Sequence, residues 1–176
     1  MELLLTLDRQ LFFFINHLPH LAVSNTVALA ISGVGTAGII WFVLATVLFL
    51  KEEKKDHWFF IPVLAAGGTS WLMVEKIIKP LIARPRPTFE MGAIILGNNL
   101  PDFSFPSGHA TIAFAMAVVL SRKEPKWKWV FYTLAILISF SRIYIGKHFP
   151  FDVLVGALLG WGVGRMTLLA MHVHRK

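Results

Sequence analysis

Three short stretches of the chain hold side chains that could manage an anion and a proton together: "KPLIARPRP" from Lys79, "FPSGHATIAF" from Phe105 and "SRIYIGKHFPFD" from Ser141. They supply Lys79, Arg84, Arg86, Arg142 and Lys147, the histidines His109 and His148, Ser107, and one well-placed acid, Asp152. Such an excess of donors suits an anion, and arginine forks match phosphate oxygens two at a time. Ser107 and Gly108 open an apolar run that reads as a helix, whose first N–H groups and dipole add a further anion seat. His148 and Asp152 stand at i and i+4. A helix starting near His148 would let the carboxylate hold one ring nitrogen and leave the other free to attack phosphorus. His109 is then the group to protonate the departing oxygen. Phosphoryl transfer otherwise needs positioning and charge stabilisation, which fall to Lys79, Arg86 and Arg142.

All three stretches lie at the ends of apolar runs. The 176 residues are 56% hydrophobic and 15% charged, against about 25% charged in a soluble domain, and mean hydropathy is +0.65. This predicts an all-α integral membrane helical bundle forming a single domain over residues 1–176. Thr26–Leu50 carries no charge and is long enough to cross a hydrocarbon core. Trp58–Ile78, Ser107–Leu120, Trp129–Ile145 and Pro150–Met171 complete a prediction of five transmembrane helices. The third is short, so its polar start should sit recessed below the headgroup surface. Gly156, Gly160 and Gly164 in the last predict close helix packing. Glu2–Leu18 carries Asp8 and Arg9, each costing roughly 2.5 to 3.5 kcal/mol at a bilayer centre. It reads as an N-terminal interfacial helix, with six spans as the alternative. "MELLLTLDRQ" has neither the basic start nor the cleavage site of a signal peptide and is expected to be retained. The loop Phe89–Leu96 is partly apolar and is expected to cover the pocket as a short membrane-facing helix.

Basic residues set the orientation. Lys51, Lys54 and Lys55, then Arg122, Lys123, Lys126 and Lys128, then Arg175 and Lys176 fall on one side of five alternating spans. The positive-inside rule makes that side cytoplasmic. The expectation is a multi-pass cell-membrane protein whose three polar stretches meet on the extracytoplasmic face. The net charge of +7 is dispersed between apolar runs, so it speaks for loop placement and anionic lipid, with no nucleic acid partner. The absence of cysteine excludes disulfides and thiolate chemistry. Simpler roles compete for each residue taken singly: a helix-end histidine is commonly a cap, and Lys79 and Arg84 could be snorkelling anchors. Cations gathered on the outer face, however, run against the positive-inside rule. His172 and His174 read as a cytoplasmic tail, Arg165 as snorkelling, and Glu75 as a partner of Lys76 or Lys79. Few carboxylates among many cations repel a metal ion, so no metal and no cofactor are expected.

These residues resemble the signature of the type-2 phosphatidic acid phosphatase superfamily of integral membrane lipid phosphatases. Its pattern is K-x-x-x-x-x-x-R-P, then P-S-G-H, then S-R-x-x-x-x-x-H-x-x-x-D. Lys79 with Arg86-Pro87, Pro106 to His109, and Ser141-Arg142 with His148 and Asp152 match it throughout. The resemblance implies a phosphohistidine formed on His148, oriented by Asp152, with His109 as leaving-group acid. It also implies that Lys79, Arg86, Ser107, Gly108 and Arg142 hold the phosphate without a metal. Arg84 precedes a second Arg-Pro pair, and the spacing favours Arg86. The short length and "LDRQLFFFIN" are similar to compact bacterial members acting on undecaprenyl pyrophosphate, while phosphatidylglycerophosphate and phosphatidate phosphatases share the same motifs. More remote readings are a vanadate-dependent haloperoxidase and an anionic-lipid transporter.

Overall fold

A computed structural model describes residues 2–51, 59–98 and 101–173. Lys54, Lys55, Trp58, His174, Arg175 and Lys176, used above for topology and span limits, lie outside the described residues. Helices account for most of the rest: α1 (Glu2–Asn16), α2 (Ala22–Val34), α3 (Ile39–Lys51), α4 (Phe60–Trp71), α5 (Lys79–Ile82), α6 (Gly108–Lys123), α7 (Lys128–Tyr144) and α8 (Pro150–Val173). A π-helical stretch, Leu72–Ile78, joins α4 to α5 and makes one rod of them.

The centre of the bundle is α6. Ala110, Ala113, Ala115, Ala117, Val119 and Leu120 are buried, and α3, α4, α7 and α8 pack around it. Alanines suit that place, because small side chains let backbones approach. The closest approach is to α8. A Cβ on Gly156 would stand 2.7 Å from the Ser107 carbonyl, one on Gly160 2.0 Å from that of Thr111, and one on Gly164 2.8 Å from that of Ala115. Both series step by four residues in the same sense, so α6 and α8 run parallel with their N-termini side by side. The connecting α7 returns the chain between them, and its C-terminus arrives at the same end. Large apolar side chains such as Leu64, Trp71, Leu158, Trp161 and Leu169 face outward, as lipid contact requires.

Two helical segments, Phe60–Ile82 and Pro150–Met171, are each long and apolar enough to cross a membrane. The expected first span is not one rod: α2 and α3 meet at a 67° bend and count as a third crossing only if taken together. The break falls at Gly35–Gly38, where Gly38 has φ of 74°. Glycines inside "SGVGTAG" hold a helix poorly and permit the left-handed turn. The helices α6 and α7, of 16 and 17 residues, fall short of that crossing length. The helix α1 packs against α7 and α8 through Asp8, Phe12 and Asn16, which step by four residues and are buried. The loop expected to form a covering helix has only a single 3-10 turn, Phe89–Met91.

Candidate active site

Parallel α6 and α8, the C-terminus of α7 and the end of α5 bring the three polar stretches to one end of the bundle. The N–H of Ser107 donates to the Asp152 carbonyl at 2.9 Å, which ties the start of α6 to the first turn of α8. Ser107 Oγ accepts from Ala110 N and caps the helix. Its own hydroxyl proton remains free to donate. Gly108 and His109 open α6, where N–H groups have no partner four residues back. A Cβ on Gly108 would lie 2.7 Å from Glu75 Oε1, so a larger residue where α6 meets the π-helical stretch would push the Glu75 carboxylate aside.

His148 is buried, and both ring nitrogens are engaged. Nδ1 donates to the Ser104 carbonyl at 2.8 Å, and Nε2 accepts from Arg86 Nη1 at 3.1 Å. A carbonyl can only accept, so the proton sits on Nδ1 and the Nε2 lone pair faces the cations. Burial, reinforced by the charges of Arg86, Arg142 and Lys79, holds His148 well below the ordinary histidine value, and the ring is neutral at physiological pH. The expected direct bond from Asp152 is not formed: its Oδ2 lies 3.7 Å from Nδ1. The reason is that α8 begins at Pro150, so His148 precedes the helix and its Nδ1 proton is taken by the nearer Ser104 carbonyl. Asp152 instead accepts from Phe149 N at 2.9 Å, from Ser104 Oγ, and from Arg84 Nη1 at 2.6 Å. Ser104 thus touches both members of the pair, one through its carbonyl and one through its hydroxyl.

Arg84 faces away from the anion site. Its other nitrogen donates to buried Asp8 at 2.6 Å, and its guanidinium lies over Phe149, 4.2 Å from the ring centre. Asp8 also accepts from Phe151 N at the start of α8. The carboxylate that looked costly in an apolar helix is therefore neutralised, and both ends of the Arg84 guanidinium are taken by Asp152 and Asp8. Asn16 holds the neighbouring loop through Ile94 N, Ile94 O and Tyr144 O.

The cations converge. Arg86 donates to the Lys147 carbonyl and forks onto Asp102. Lys79 pairs with Glu75, as its spacing implied, and with Asp102. Arg142 is buried, donates to Ser32 Oγ, leaves its Nε without a partner, and has no carboxylate bridging it among the described residues. Lys147 donates to the Asn98 carbonyl at 2.6 Å. Burial, then the neighbouring charges of Arg142 and Arg86, depress its ammonium. His109 lies 3.5 Å from Thr36 Oγ1 beside the α2–α3 break and within electrostatic reach of Arg142, His148, Lys79 and Arg86. A cleft of about 430 Å³ opens onto this end, lined by Arg86, Asp102, Gly146 and Lys147 among others. Ser104, Asp102, Ser32, Thr36 and Asp8 were not foreseen as site residues. Of these, only the "SGVGT" run and the lone acid in α1 left a trace in the sequence.

A helical membrane bundle with a buried neutral histidine facing clustered guanidinium groups defines a hydrolase that works on an anionic ester. A family profile described as the PAP2 superfamily matches residues 58–176, and the chain belongs to that family of lipid phosphatases, as a phosphoric ester hydrolase and a membrane protein. It is 33% identical over 153 residues to an undecaprenyl-diphosphatase of Sulfolobus acidocaldarius, covering 86% of this chain and 72% of the relative. It is 30% identical to a lipid A 4'-phosphatase of Porphyromonas gingivalis, covering 95% and 74%. The crystal structure of Aquifex aeolicus LpxE superposes with a TM-score of 0.74 at 30% identity, covering 92% of this chain and 94% of that one. A phosphatidylglycerolphosphate phosphatase from Bacillus subtilis gives 0.77 at 25%, covering 98% and 88%.

Proposed function

We propose that the protein hydrolyses a phosphate monoester or pyrophosphate on a membrane lipid, undecaprenyl pyrophosphate first, through a phosphohistidine on His148 and without a metal. The observation that carries this reading is the fixed tautomer of His148. Ser104 holds Nδ1–H and leaves Nε2, the attacking atom, aimed at the cations. In the first step Nε2 attacks phosphorus, the bond to the leaving oxygen breaks, and His109 gives that oxygen its proton. In the second, His109 takes a proton from water as the water attacks the phosphohistidine, returning His148 and releasing phosphate. Lys79, Arg86 and Arg142, with the Gly108 N–H and the Ser107 hydroxyl, stabilise the charge on the equatorial oxygens. Asp152 acts mainly through Ser104 and the start of α8, setting where His148 sits and supporting its positive charge in the intermediate.

Five crossings, with α1 at the interface and the site on the extracytoplasmic face, are part of the same reading. So is sideways approach of the lipid tail. Ile112 and Met116 stand one and two turns below His109 on α6 and line an apolar groove of about 280 Å³ with Gly38, Gly67 and Gly68. A leaving group protonated by His109 would lead its chain into that groove. The undecaprenyl-diphosphatase relative favours a polyprenyl pyrophosphate, whereas the Bacillus subtilis structure keeps phosphatidylglycerophosphate as the alternative. The test is phosphate release by purified protein in detergent with EDTA present. It compares undecaprenyl pyrophosphate, phosphatidylglycerophosphate, phosphatidate and a soluble short-chain ester. The expected order places undecaprenyl pyrophosphate first and the soluble ester last in kcat/KM. Loss of all release in EDTA, restored by a divalent ion, would overturn the mechanism.

A further inference from the structure

The seat that Lys79 and Arg86 would offer to phosphate already holds a carboxylate. Asp102 accepts from Lys79 Nζ, from Arg86 Nη2 at 2.8 and 3.0 Å, and from Arg86 Nε at 3.0 Å, while its carbonyl accepts from the same Nε at 3.2 Å. The two sides of this contact are built differently. The side chains of Lys79 and Arg86 are 6% and 10% exposed, that of Asp102 is 38% exposed, and residues 101–103 are all on the surface. The cations belong to the bundle, whereas the acid reaches in from the loop that borders the 430 Å³ cleft. Two residues later Ser104 is fixed, its N–H on the Arg84 carbonyl at 2.8 Å, so Asp102 can leave without disturbing the carbonyl that holds His148.

A carboxylate and a phosphate present the same paired oxygens to a guanidinium fork, and one fork cannot hold both. We propose that Asp102 is a resident counter-anion, displaced from Lys79 and Arg86 when the phosphate of a substrate enters and returning to them as inorganic phosphate leaves; this rests on the phosphatase reading above. Burial alone would raise the Asp102 carboxyl, but the hydrogen bond from Lys79 and the charges of Arg86 and Lys79 outweigh it and keep the group ionised. The exchange gives the site a threshold. A ligand must offer more charge than one carboxylate, as a phosphate dianion or pyrophosphate does, which disfavours carboxylates and phosphodiesters. It also relieves product binding, because without Asp102 the buried Arg86 and Arg142 would face no competing acid and Lys79 only Glu75, which would retain phosphate and slow turnover.

The test is binding of inorganic phosphate, and separately of orthovanadate, to purified protein in detergent by titration calorimetry, which needs no turnover. Asp102→Asn keeps the shape and removes the charge; Asp102→Ser serves as a second variant if the first melts early. The expected result is binding tighter by about tenfold or more in either variant, with stronger product inhibition by phosphate. Unchanged or weaker binding in the variants, with a wild type that binds and hydrolyses normally, would overturn the counter-anion role alone and make Asp102 a support for Arg86. No phosphate binding by wild type or variants would overturn the phosphatase reading and this proposal together.

Discussion

At the scale of the residue, the proposed chemistry depends on one imidazole being neutral and another able to give up a proton. His148→Ala should remove both turnover and any trapped phosphoenzyme, because the covalent acceptor is gone. His109→Ala should lower kcat by roughly 10² to 10⁴ on a lipid substrate and much less on an activated aryl phosphate, whose leaving group needs little protonation. Quenched-flow trapping with both substrates checks this; phosphoenzyme accumulating in the His148 variant would reverse the assigned roles. The depressed value of His148 has a sign. An unfolded chain takes up this proton as pH falls below 6.5, while the folded protein does not until pH is well lower. The stabilising contribution is therefore complete above 6.5 and declines as pH falls. Nitrogen-15 spectra of histidine-labelled protein should show His148 still neutral, with the proton on Nδ1, at pH 6. A midpoint near 6.5 would contradict the burial argument. These residues were legible in the sequence because motif spacing names side chains. Ser104 was not, since its contact with His148 is made by a backbone carbonyl, which any residue carries.

At the scale of the element, contact between α6 and α8 sets the distance between His109 and Asp152, and glycines set that contact. Gly160→Ala would place a methyl 2.0 Å from the Thr111 carbonyl, whereas Gly162 has nothing within 4 Å. Gly160→Ala is expected to cost about 1 to 3 kcal/mol and to lower both the thermal midpoint in detergent and kcat, and Gly162→Ala to leave both unchanged. Equal behaviour of the two variants would mean that the helices are not in backbone contact. The packing role of Gly156, Gly160 and Gly164 was readable from their spacing, as was the existence of α6, α7 and α8. The α2–α3 bend was missed because hydropathy averages over "SGVGTAG" and sees only an uncharged run, although glycine conformation decides the path there. The role of α1 was also hidden. Asp8 reads as a penalty in an apolar helix until Arg84, 76 positions away, is seen to meet it, and no local pattern carries information over that separation.

At the scale of the whole molecule, the question is which side of the membrane the site faces. The parallel course of α6 and α8, with α7 returning between them, makes the two sides of the bundle unequal. Lys79, Arg86, Arg142 and Lys147 gather at one end, while Arg122, Lys123, Lys126 and Lys128 gather at the other. The second group lies in a turn and the adjoining helix ends, away from the site: Lys126 is 73% exposed and its ion pair with Glu124 spans 3.5 Å, a contact worth at most about 1 kcal/mol. The first group is buried and engaged in the site. The positive-inside rule should therefore be read from the second group alone, and the proposal that the site faces outward rests on that group. The chain has no cysteine of its own, so single cysteines at exposed positions report topology cleanly. A cysteine at Asn98, whose carbonyl but not side chain meets Lys147, should be labelled in intact cells by an impermeant thiol reagent. One at Lys126 should be labelled only after the membrane is opened. The reverse pattern would put the site on the cytoplasmic side, remove externally exposed pyrophosphate lipids as substrates, and turn the search to phosphate lipids of the inner leaflet.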